Sequence, residues 1–368
     1  MRRDLQGAAL TLLVKEHRET KVRVRIDRGA SFRIIAPSML HCVMSHPSTP
    51  SQPPVRLVMR FLLEFMIGMC PLLARRHGSD IVRGILFLTI AQANRPRFAE
   101  IVRYDTPTTA LRAISVNALA QSIGLPYETA RRHVLALTRA GICVREPQGI
   151  VVPNSVITSP VFDDFSIELH ALFLRMMRRL KAVGFDFDDF GPATPEPLPP
   201  DQDSVRPDAA VRHVVIDFVL RMSECGRVAH ENDMVRSLVF TAIMSANAAP
   251  YTLDNRAWKY ASLAQSPPES ERLPISVSNL AKLICMPYET TRRYVEQMIA
   301  DKDIVRVKGQ GVINPQVSPR DALLHQSGTM VMSRFVQLVS DLKRLGFSFE
   351  TLDMGPHQAA ERAARKVG

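Results

Sequence analysis

The stretch Ile114-Ser-Val-Asn-Ala-Leu-Ala-Gln-Ser-Ile-Gly-Leu-Pro-Tyr-Glu-Thr-Ala-Arg-Arg-His-Val134 recurs in the second half of the chain as Ile275-Ser-Val-Ser-Asn-Leu-Ala-Lys-Leu-Ile-Cys-Met-Pro-Tyr-Glu-Thr-Thr-Arg-Arg-Tyr-Val295. Thirteen of the 21 positions are identical, far more than chance allows. Weaker matches lie on both sides, from Asp80-Ile-Val-Arg against Asp233-Met-Val-Arg to Val183-Gly-Phe-Asp-Phe187 against Leu345-Gly-Phe-Ser-Phe349. Self-similarity of this extent indicates two copies of one structural unit.

The repeat sets the domain organisation. Six prolines among residues 191–207 exclude regular helix and indicate a semi-extended linker between the copies. The N-terminal residues show no sustained hydrophobic period. Met39 and Met44 are candidates for an alternative start of the gene, which would make this segment an extension of the natural protein. The predicted segments are a disordered N-terminal segment at 1–54, a first repeat at 55–190, a Pro-rich linker at 191–208, a second repeat at 209–355 and a basic C-terminal tail at 356–368.

Two short helices joined by a tight turn are predicted within the most similar stretch. Ser115 suits the N-cap of the first helix. Gly124 suits a turn that needs a positive φ, and the second copy has the less favourable Cys285 at this place. Pro126 fits the first position of the second helix, where its missing N–H costs nothing. Glu128 would then stand third, suited to reach back to a free backbone N–H.

The second of these helices is predicted to bury one stripe and turn its arginines outward. At 100° per residue, Arg132 and Arg293 lie opposite the apolar side chains of their helices. The predicted stripes are Ala130, Val134 and Leu137 in the first copy and Thr291, Val295 and Met298 in the second.

Further elements surround this pair of helices in each copy. β-rich runs separated by turn residues predict a hairpin directly after the second helix. Helical apolar spacing predicts two helices before the pair and one long helix after the hairpin. The predicted hairpin strands are 142–145 and 150–152, then 304–307 and 312–313; the flanking helices are 55–76 and 80–94, and the long helices are about 162–183 and 324–345.

Helix, turn, helix and hairpin in this order resemble the winged helix-turn-helix of bacterial transcriptional regulators of the GntR and MarR kinds. The resemblance covers about 40 residues in each copy and is specific to the fold class. It implies a mainly α fold with two tandem winged-helix domains plus flanking helices, and a second helix that lies in the major groove of DNA. The positions it assigns to DNA are Tyr127, Glu128, Thr129, Arg131, Arg132, Arg145, Tyr288, Glu289, Thr290, Arg292, Arg293, Arg306 and Lys308.

Different roles are expected within this set. Arg132 and Arg293 are the base-contact candidates, since a guanidinium matches guanine O6 and N7 bidentately. The two threonines and the three basic wing residues are assigned to phosphates, which position the protein without specifying sequence. Alternatives stay open: each arginine is also compatible with a solvated helix face, each glutamate with helix capping, and each tyrosine with packing on its own wing.

Composition supports a polyanionic partner and offers no catalytic or metal chemistry. The formal net charge is +11, the sequence pI is about 9.8, and 46% of the residues are hydrophobic. No uninterrupted apolar run reaches the roughly 18 residues of a membrane span, so no membrane partner is expected. No cofactor, metal or disulfide framework is expected either, because the histidines are scattered and no C-x-x-C pair occurs. The cysteines are Cys42, Cys70, Cys143, Cys225 and Cys285.

The leading functional hypothesis is a sequence-specific, double-stranded DNA-binding transcriptional regulator, cytoplasmic and nucleoid-associated, that is not an enzyme. Its two recognition helices would act as a pseudo-dimer within one chain, and a homodimer through the long apolar helices is a further possibility. No small-molecule effector is identified. Two alternatives stay open: a plasmid-type replication initiator or partition protein with tandem winged helices, and a winged-helix module for protein–protein interaction.

Overall fold

The fold is taken from a computed structural model, which describes residues 10–14, 22–27, 31–34, 53–78, 80–94, 111–189, 207–252 and 256–353. The chain divides into two compact units, Met1–Pro50 and Ser51–Gly368. The predicted linker core and the predicted basic tail at 356–368 lie outside the described residues. Over the described part the protein is mainly helical, as predicted.

The first unit contains three antiparallel strands, β1 (Leu10–Val14), β2 (Val22–Asp27) and β3 (Ser31–Ile34). In the register, Leu10 is opposite Ile26 and Val24 is opposite Ile34. This differs from the disorder predicted for residues 1–54. Residues 22–26 alternate β-branched side chains with arginines, which is the two-residue period of a strand. The alternation is too short to stand out in a search for helical periods.

The second unit contains both repeats, and their elements follow the same order. The first repeat consists of α1 (Val55–Arg76), α2 (Ile81–Ala93), α3 (Val116–Ile123), α4 (Tyr127–Arg139), β4 (Val144–Glu146), β5 (Gly149–Val151), α5 (Asn154–Ile157) and α6 (Pro160–Ala182). The second consists of α7 (Pro207–Val228), α8 (Met234–Ala248), α9 (Val277–Leu283), α10 (Tyr288–Ala300), β6 (Val305–Val307), β7 (Gly311–Ile313) and α11 (Asp321–Arg344). Short 3-10 turns lie at Ala249–Tyr251, Glu269–Glu271 and Glu350–Asp353.

The two repeats share one core. Helix α1 packs on α6 of its own repeat and on α8 and α11 of the other. Helix α7 makes the equivalent contacts, with α11 of its own repeat and with α2 and α6 of the other. The apolar faces of the long helices α6 and α11 are buried inside this unit. A homodimer through the long helices α6 and α11 stays a prediction. It would have to use the exposed sides of these helices, because their apolar stripes are already buried.

Equivalent residues of the two repeats meet each other. The Lys181 ammonium donates to the carbonyl oxygen of Phe349 at 3.1 Å, and the equivalent Lys343 donates to that of Phe187 at 3.2 Å. The rings of Phe187 and Phe349 stack with centroids 4.5 Å apart and planes 17° apart. Reciprocal contacts of this kind characterise an interface around a two-fold axis. The repeats are therefore arranged around a local pseudo-two-fold axis.

Helix α1 is long and apolar enough to cross a membrane, the one such helix among the described residues, and 72% of its most apolar window is buried within the unit. Among the charges of α1, Arg60 and Glu64 lie in the middle of the helix, and both have partners. Arg60 donates to the carbonyl oxygens of Tyr251 and Ala257, each at 2.9 Å, and Glu64 pairs with Arg179 of α6. These contacts make α1 the central helix of the unit.

Candidate nucleic-acid interface

Helices α3 and α4 are joined by the tight turn that the sequence predicts. The Ser115 hydroxyl accepts from the amide of Ala118 at 3.1 Å, which confirms the predicted N-cap. Gly124 ends α3 in the left-handed conformation, with φ of +65°. A Cβ at this position would lie 1.4 Å from the carbonyl oxygen of Asn232, so glycine is required by contact with the second repeat as well as by φ.

The start of α4 differs by one residue from the prediction. Pro126 is the N-cap and Tyr127 the first helical residue, so Glu128 is second and not third. From there the carboxylate makes no cap hydrogen bond and instead pairs with Arg131 at 2.9 Å. The second repeat repeats this arrangement, with Glu289 paired to Arg292 at 2.9 Å. The predicted capping role of the two glutamates is therefore wrong.

The buried stripe of each second helix is the predicted one. Ala130, Val134 and Leu137 are buried in α4, and Thr291, Val295 and Met298 in α10. On the opposite side, Arg132 and Arg293 are both exposed. Arg132 has no ion pair within the described part of the chain, while the Arg293 guanidinium lies 5.7 Å from the ring centroid of Tyr294.

The other helix residues assigned from the resemblance lie near these arginines along the chain. Tyr127 and Tyr288 are exposed by 48% and 49%, so neither is packed away on its own wing. The threonines Thr129 and Thr290 are half-buried. Each helix thus presents a tyrosine, a glutamate–arginine pair and an outward arginine at equivalent positions.

A polar contact that sequence reasoning missed ties each second helix to the helix before the pair. His133 Nδ1 lies 3.2 Å from Asp80 Oδ2, and Asp80 also caps α2 by accepting from Arg83. In the second repeat Tyr294 takes the place of His133 and Asp233 that of Asp80; burial, and then this carboxylate, raise the pKa of Tyr294 to about 12. The sequence signal for this contact was the occurrence of Asp80 and Asp233 at equivalent positions of the two repeats.

The two hairpins, β4–β5 and β6–β7, which the sequence analysis assigns as wings, are held by a pair of equivalent buried asparagines. The Asn94 amide donates to Ile150 at 3.0 Å and its oxygen accepts from the amide of Val152 at 2.7 Å. Asn247 accepts in the same way from the amide of Asn314 at 2.9 Å. Asn94 and Asn247 are 0% and 2% exposed. Their role was missed, although the repeat aligns them.

The basic residues of the two wings have different surroundings. Arg145 is exposed on β4 with no ion pair to the rest of the described chain. Arg306 on β6 pairs with Glu296 of α10 at 2.7 Å, which joins the second wing to its helix. Lys308 is exposed at the tip of that hairpin. Leu135 stands where the second repeat has Glu296, so the first wing lacks this tether.

An acidic pair at the end of α10 is neutralised by the protein itself. Asp303 is 1% exposed and pairs with Arg236 at 2.5 Å and with Arg320 at 2.8 Å. Asp301 pairs with Arg236 as well. These ion pairs link the end of α10 to α8 and to the start of α11. The two carboxylates are therefore balanced by arginines of the protein itself.

The two repeats differ in where their charged side chains lie. Helix α4 carries three arginines against one glutamate, whereas α10 carries two arginines against two glutamates. The wings reverse this order: β4 offers an arginine beside a glutamate, and the second hairpin offers an arginine and a lysine. The positive charge thus lies on the helix in the first repeat and on the wing in the second.

Other chemistry is sparse in the part of the chain that the structure describes. No group of three or more histidine, cysteine or acidic side chains there could hold a metal ion. The described cysteines, Cys70, Cys143, Cys225 and Cys285, are free thiols, and burial raises the pKa of Cys143 to about 12.

Comparison with known proteins gives no match, whether to a family model, to a curated protein or to a solved structure.

Proposed function

We propose that this chain binds double-stranded DNA sequence-specifically and acts as a transcriptional regulator through two winged helix-turn-helix units. One observation carries the proposal: the second helix of each unit presents an exposed arginine, Arg132 or Arg293, opposite its buried stripe. A guanidinium in this position suits bidentate hydrogen bonds to guanine in the major groove. The proposal assigns the protein no catalytic step and no cofactor, and places it in the cytoplasm on the nucleoid.

The proposed pseudo-dimer rests on the reciprocal contacts between the repeats. Dimeric regulators use two-fold symmetry to read two half-sites about one DNA turn apart. The pairs Lys181–Phe349 and Lys343–Phe187 are the intrachain equivalent of such a two-fold interface. One chain would therefore present both units without a second copy.

The proposed half-sites are similar but read unequally. The shared Pro-Tyr-Glu-Thr-x-Arg-Arg sequence predicts related base preferences for α4 and α10. Because the first unit has its surplus charge on the helix, it would contribute more to base recognition. The second unit would contribute more phosphate contacts, which position the protein, mainly through Lys308 on its wing because Arg306 pairs with Glu296.

The test is selection of binding sequences from a random duplex pool, followed by affinity measurements on the preferred site. Arg132→Ala and Arg293→Ala are each expected to cost about 1–3 kcal/mol of binding free energy and to relax specificity in one half-site. Arg334→Ala, at an exposed position of α11, is the matched control and should leave the affinity unchanged.

Three results would overturn the proposal. Unchanged affinity in the double variant Arg132→Ala with Arg293→Ala would remove the recognition helices from the interface. Enrichment confined to replication origins or partition sites would favour an initiator or partition protein. Preferred binding to a protein partner, with little dependence on salt, would favour an interaction module, because phosphate contacts make DNA affinity fall steeply with salt.

A further inference from the structure

A cavity of about 360 Å³ lies between the two repeats. Its walls come from α1 and α2 of the first repeat, from α7, α8 and α11 of the second, and from the second repeat's residues between 260 and 272 and at 314–316. The volume falls in the range of small-molecule sites, which form preferentially where structural units meet. Neither recognition helix lines the cavity, so it is separate from the proposed DNA surface.

Methionine is the most frequent residue type in the apolar part of the wall. Unbranched thioether side chains adapt to ligands of different shape, so a methionine-lined cavity suits a flexible hydrocarbon body. The six that line it are Met59, Met66 and Met69 from the first repeat and Met222, Met234 and Met244 from the second.

Four arginines, Arg56, Arg60, Arg227 and Arg272, line the cavity and give it a cationic region. The hydrogen bonds of Arg60 go to backbone carbonyl oxygens, among them those of Tyr251 and Ala257. Those of Arg272 go to carbonyl oxygens and to one serine hydroxyl. These partners fix the two guanidiniums in place but do not neutralise their charge.

Arg56 offers a ligand an unsatisfied hydrogen-bond donor. Its Nε atom is buried and has no hydrogen-bond partner in the described part of the protein. Burial lowers the pKa of Arg56 and of Arg272, and burial together with the charge of Arg56 lowers that of Arg60 to about 10. The carboxylates that act on the four lining arginines are those of Asp321, Glu269 and Glu224, one fewer than the guanidiniums.

A second unsatisfied group belongs to the wall. His230 is 2% exposed, and its Nδ1 atom has no hydrogen-bond partner among the described residues. Burial, and then the charges of Arg320 and Arg236, lower the pKa of His230 to about 3, so its ring is neutral and offers a hydrogen bond to a polar group. Buried polar atoms without partners are rare in folded proteins and call for an explanation such as a bound ligand.

We propose that this cavity binds an amphipathic organic anion, with its carboxylate held by Arg56 in the field of Arg60 and Arg272 and its hydrocarbon body lying along the methionines. The charge surplus selects against a neutral or cationic head group of the same shape. The methionine walls select against a small, fully hydrated anion, because such an ion would leave the apolar surface uncovered.

The experiment is calorimetric titration of the full chain with decanoate, 1-decanol and decyltrimethylammonium, without DNA. Decanoate is expected to bind and to raise Tm, and the other two probes to bind at least tenfold more weakly. Arg56→Gln should weaken decanoate binding roughly ten- to hundredfold, because a charge-assisted hydrogen bond is lost. Arg334→Gln, exposed on α11, is the control and should change nothing.

Two further readings keep the test decisive. Arg56→Gln removes a half-buried charge whose Nε atom lacks a hydrogen bond, so its Tm without ligand should equal or exceed that of the natural protein. Met66→Trp should block decanoate by filling the cavity. Equal binding of decanoate and 1-decanol, full binding by Arg56→Gln, or no binding of decanoate would each overturn the proposal.

The cavity also touches groups that hold both winged units, and this step rests on the proposed function. Arg227 in its wall donates to the carbonyl oxygen of Ser122 at the turn of the first unit. Asn247 and Arg272 in its wall hold Asn314 beside the second wing. Decanoate is therefore expected to change DNA affinity about 5- to 150-fold in the natural protein and not in Arg56→Gln. Ligand binding without DNA is measured separately, so failure of DNA binding leaves the ligand result intact.

Discussion

At the residue scale, the two copies have different residues at equivalent positions where the backbone is left-handed. Gly124 and Gly141 have φ of +65° and +70°, and the equivalent Cys285 and Lys302 have φ of +54° and +61°. A left-handed conformation costs a side-chain-bearing residue about 1–2 kcal/mol. The second copy therefore carries a local strain that the first avoids, and yet its fold is the same.

The two glycines allow a matched test of this strain. Gly141→Ala is expected to lower the free energy of unfolding by about 1 kcal/mol, since its Cβ would meet nothing within 4 Å. Gly124→Ala should cost several times more, because its Cβ would collide with the backbone of Asn232. Lys302→Gly should gain about 0.5–1 kcal/mol. Urea unfolding measures all three; equal losses for the two glycine variants would refute the role of the Asn232 contact.

A pair of equivalent buried histidines predicts sensitivity to mild acid. Burial, followed by Arg83, lowers the pKa of His77 to about 4, and His230 is lowered to about 3. The unfolded chain takes up these protons near pH 6.5 and the folded chain does not, so stability falls as the pH drops below that value. Between pH 6.5 and 5 each histidine should cost about 1–2 kcal/mol of unfolding free energy.

The measurement is urea unfolding across this pH window, which lies above the reference pKa of exposed carboxyl groups. His77→Gln with His230→Gln should flatten the profile, whereas the exposed His325→Gln should not. An unchanged slope in the double variant would show that other groups cause the dependence.

At the element scale, helices α4 and α10 are alike in the face they bury and unlike in the charge they present. Both bury three residues at equivalent positions and both pair a glutamate with the arginine three residues later. Glu296 distinguishes them, since it draws the wing residue Arg306 toward α10 and neutralises it. In the first copy Leu135 leaves Arg145 without this partner.

Releasing the second wing should therefore strengthen phosphate binding. Glu296→Gln is expected to tighten DNA binding a few-fold and to steepen its salt dependence by about one ion, because Arg306 becomes available. Lys308→Ala should weaken binding uniformly across sequences with the opposite change in slope. Affinity measured at several salt concentrations provides the check, with Glu224→Gln on the exposed surface of α7 as control. Unaltered slopes in both variants would remove the second wing from the interface.

At the scale of the whole molecule, the repeats are joined by one core and by reciprocal contacts. Helix α1 packs on helices of both repeats, as α7 does. The stacked rings of Phe187 and Phe349 lie between equivalent segments of the two copies. Neither repeat therefore has a hydrophobic core of its own that is complete without the other.

This arrangement predicts that residues 53–353 unfold in one cooperative step. Phe187→Ala should cost about 3–5 kcal/mol through loss of buried contacts, and it should destabilise both repeats together. Calorimetry with a fluorescence probe at Trp258 in the second repeat would follow the transition. Two separated transitions, or a Phe187→Ala effect confined to the first repeat, would contradict a shared core.

The sequence by itself determined the duplication, the paired short helices, their buried stripes and the hairpins. These features depend on local spacing: an apolar period, a capping serine and a glycine at a turn act over a few residues, and their repetition made them visible. It also identified Arg132 and Arg293 as outward, because the face of a helix follows from its period alone.

Only the tertiary structure decided how the copies meet. The pseudo-two-fold packing, the cavity with Arg56 and the neutralised Asp303 depend on residues from distant parts of the chain, and no local pattern encodes such contacts. The wrong prediction for Glu128 has a related cause. Its spacing allowed both a hydrogen bond to a free backbone N–H and an ion pair with Arg131, and the sequence alone could not decide between them. Gly124 depends on both local sequence and tertiary structure. Its sequence context predicted the turn, and only the approach of Asn232 explains why no side chain fits there.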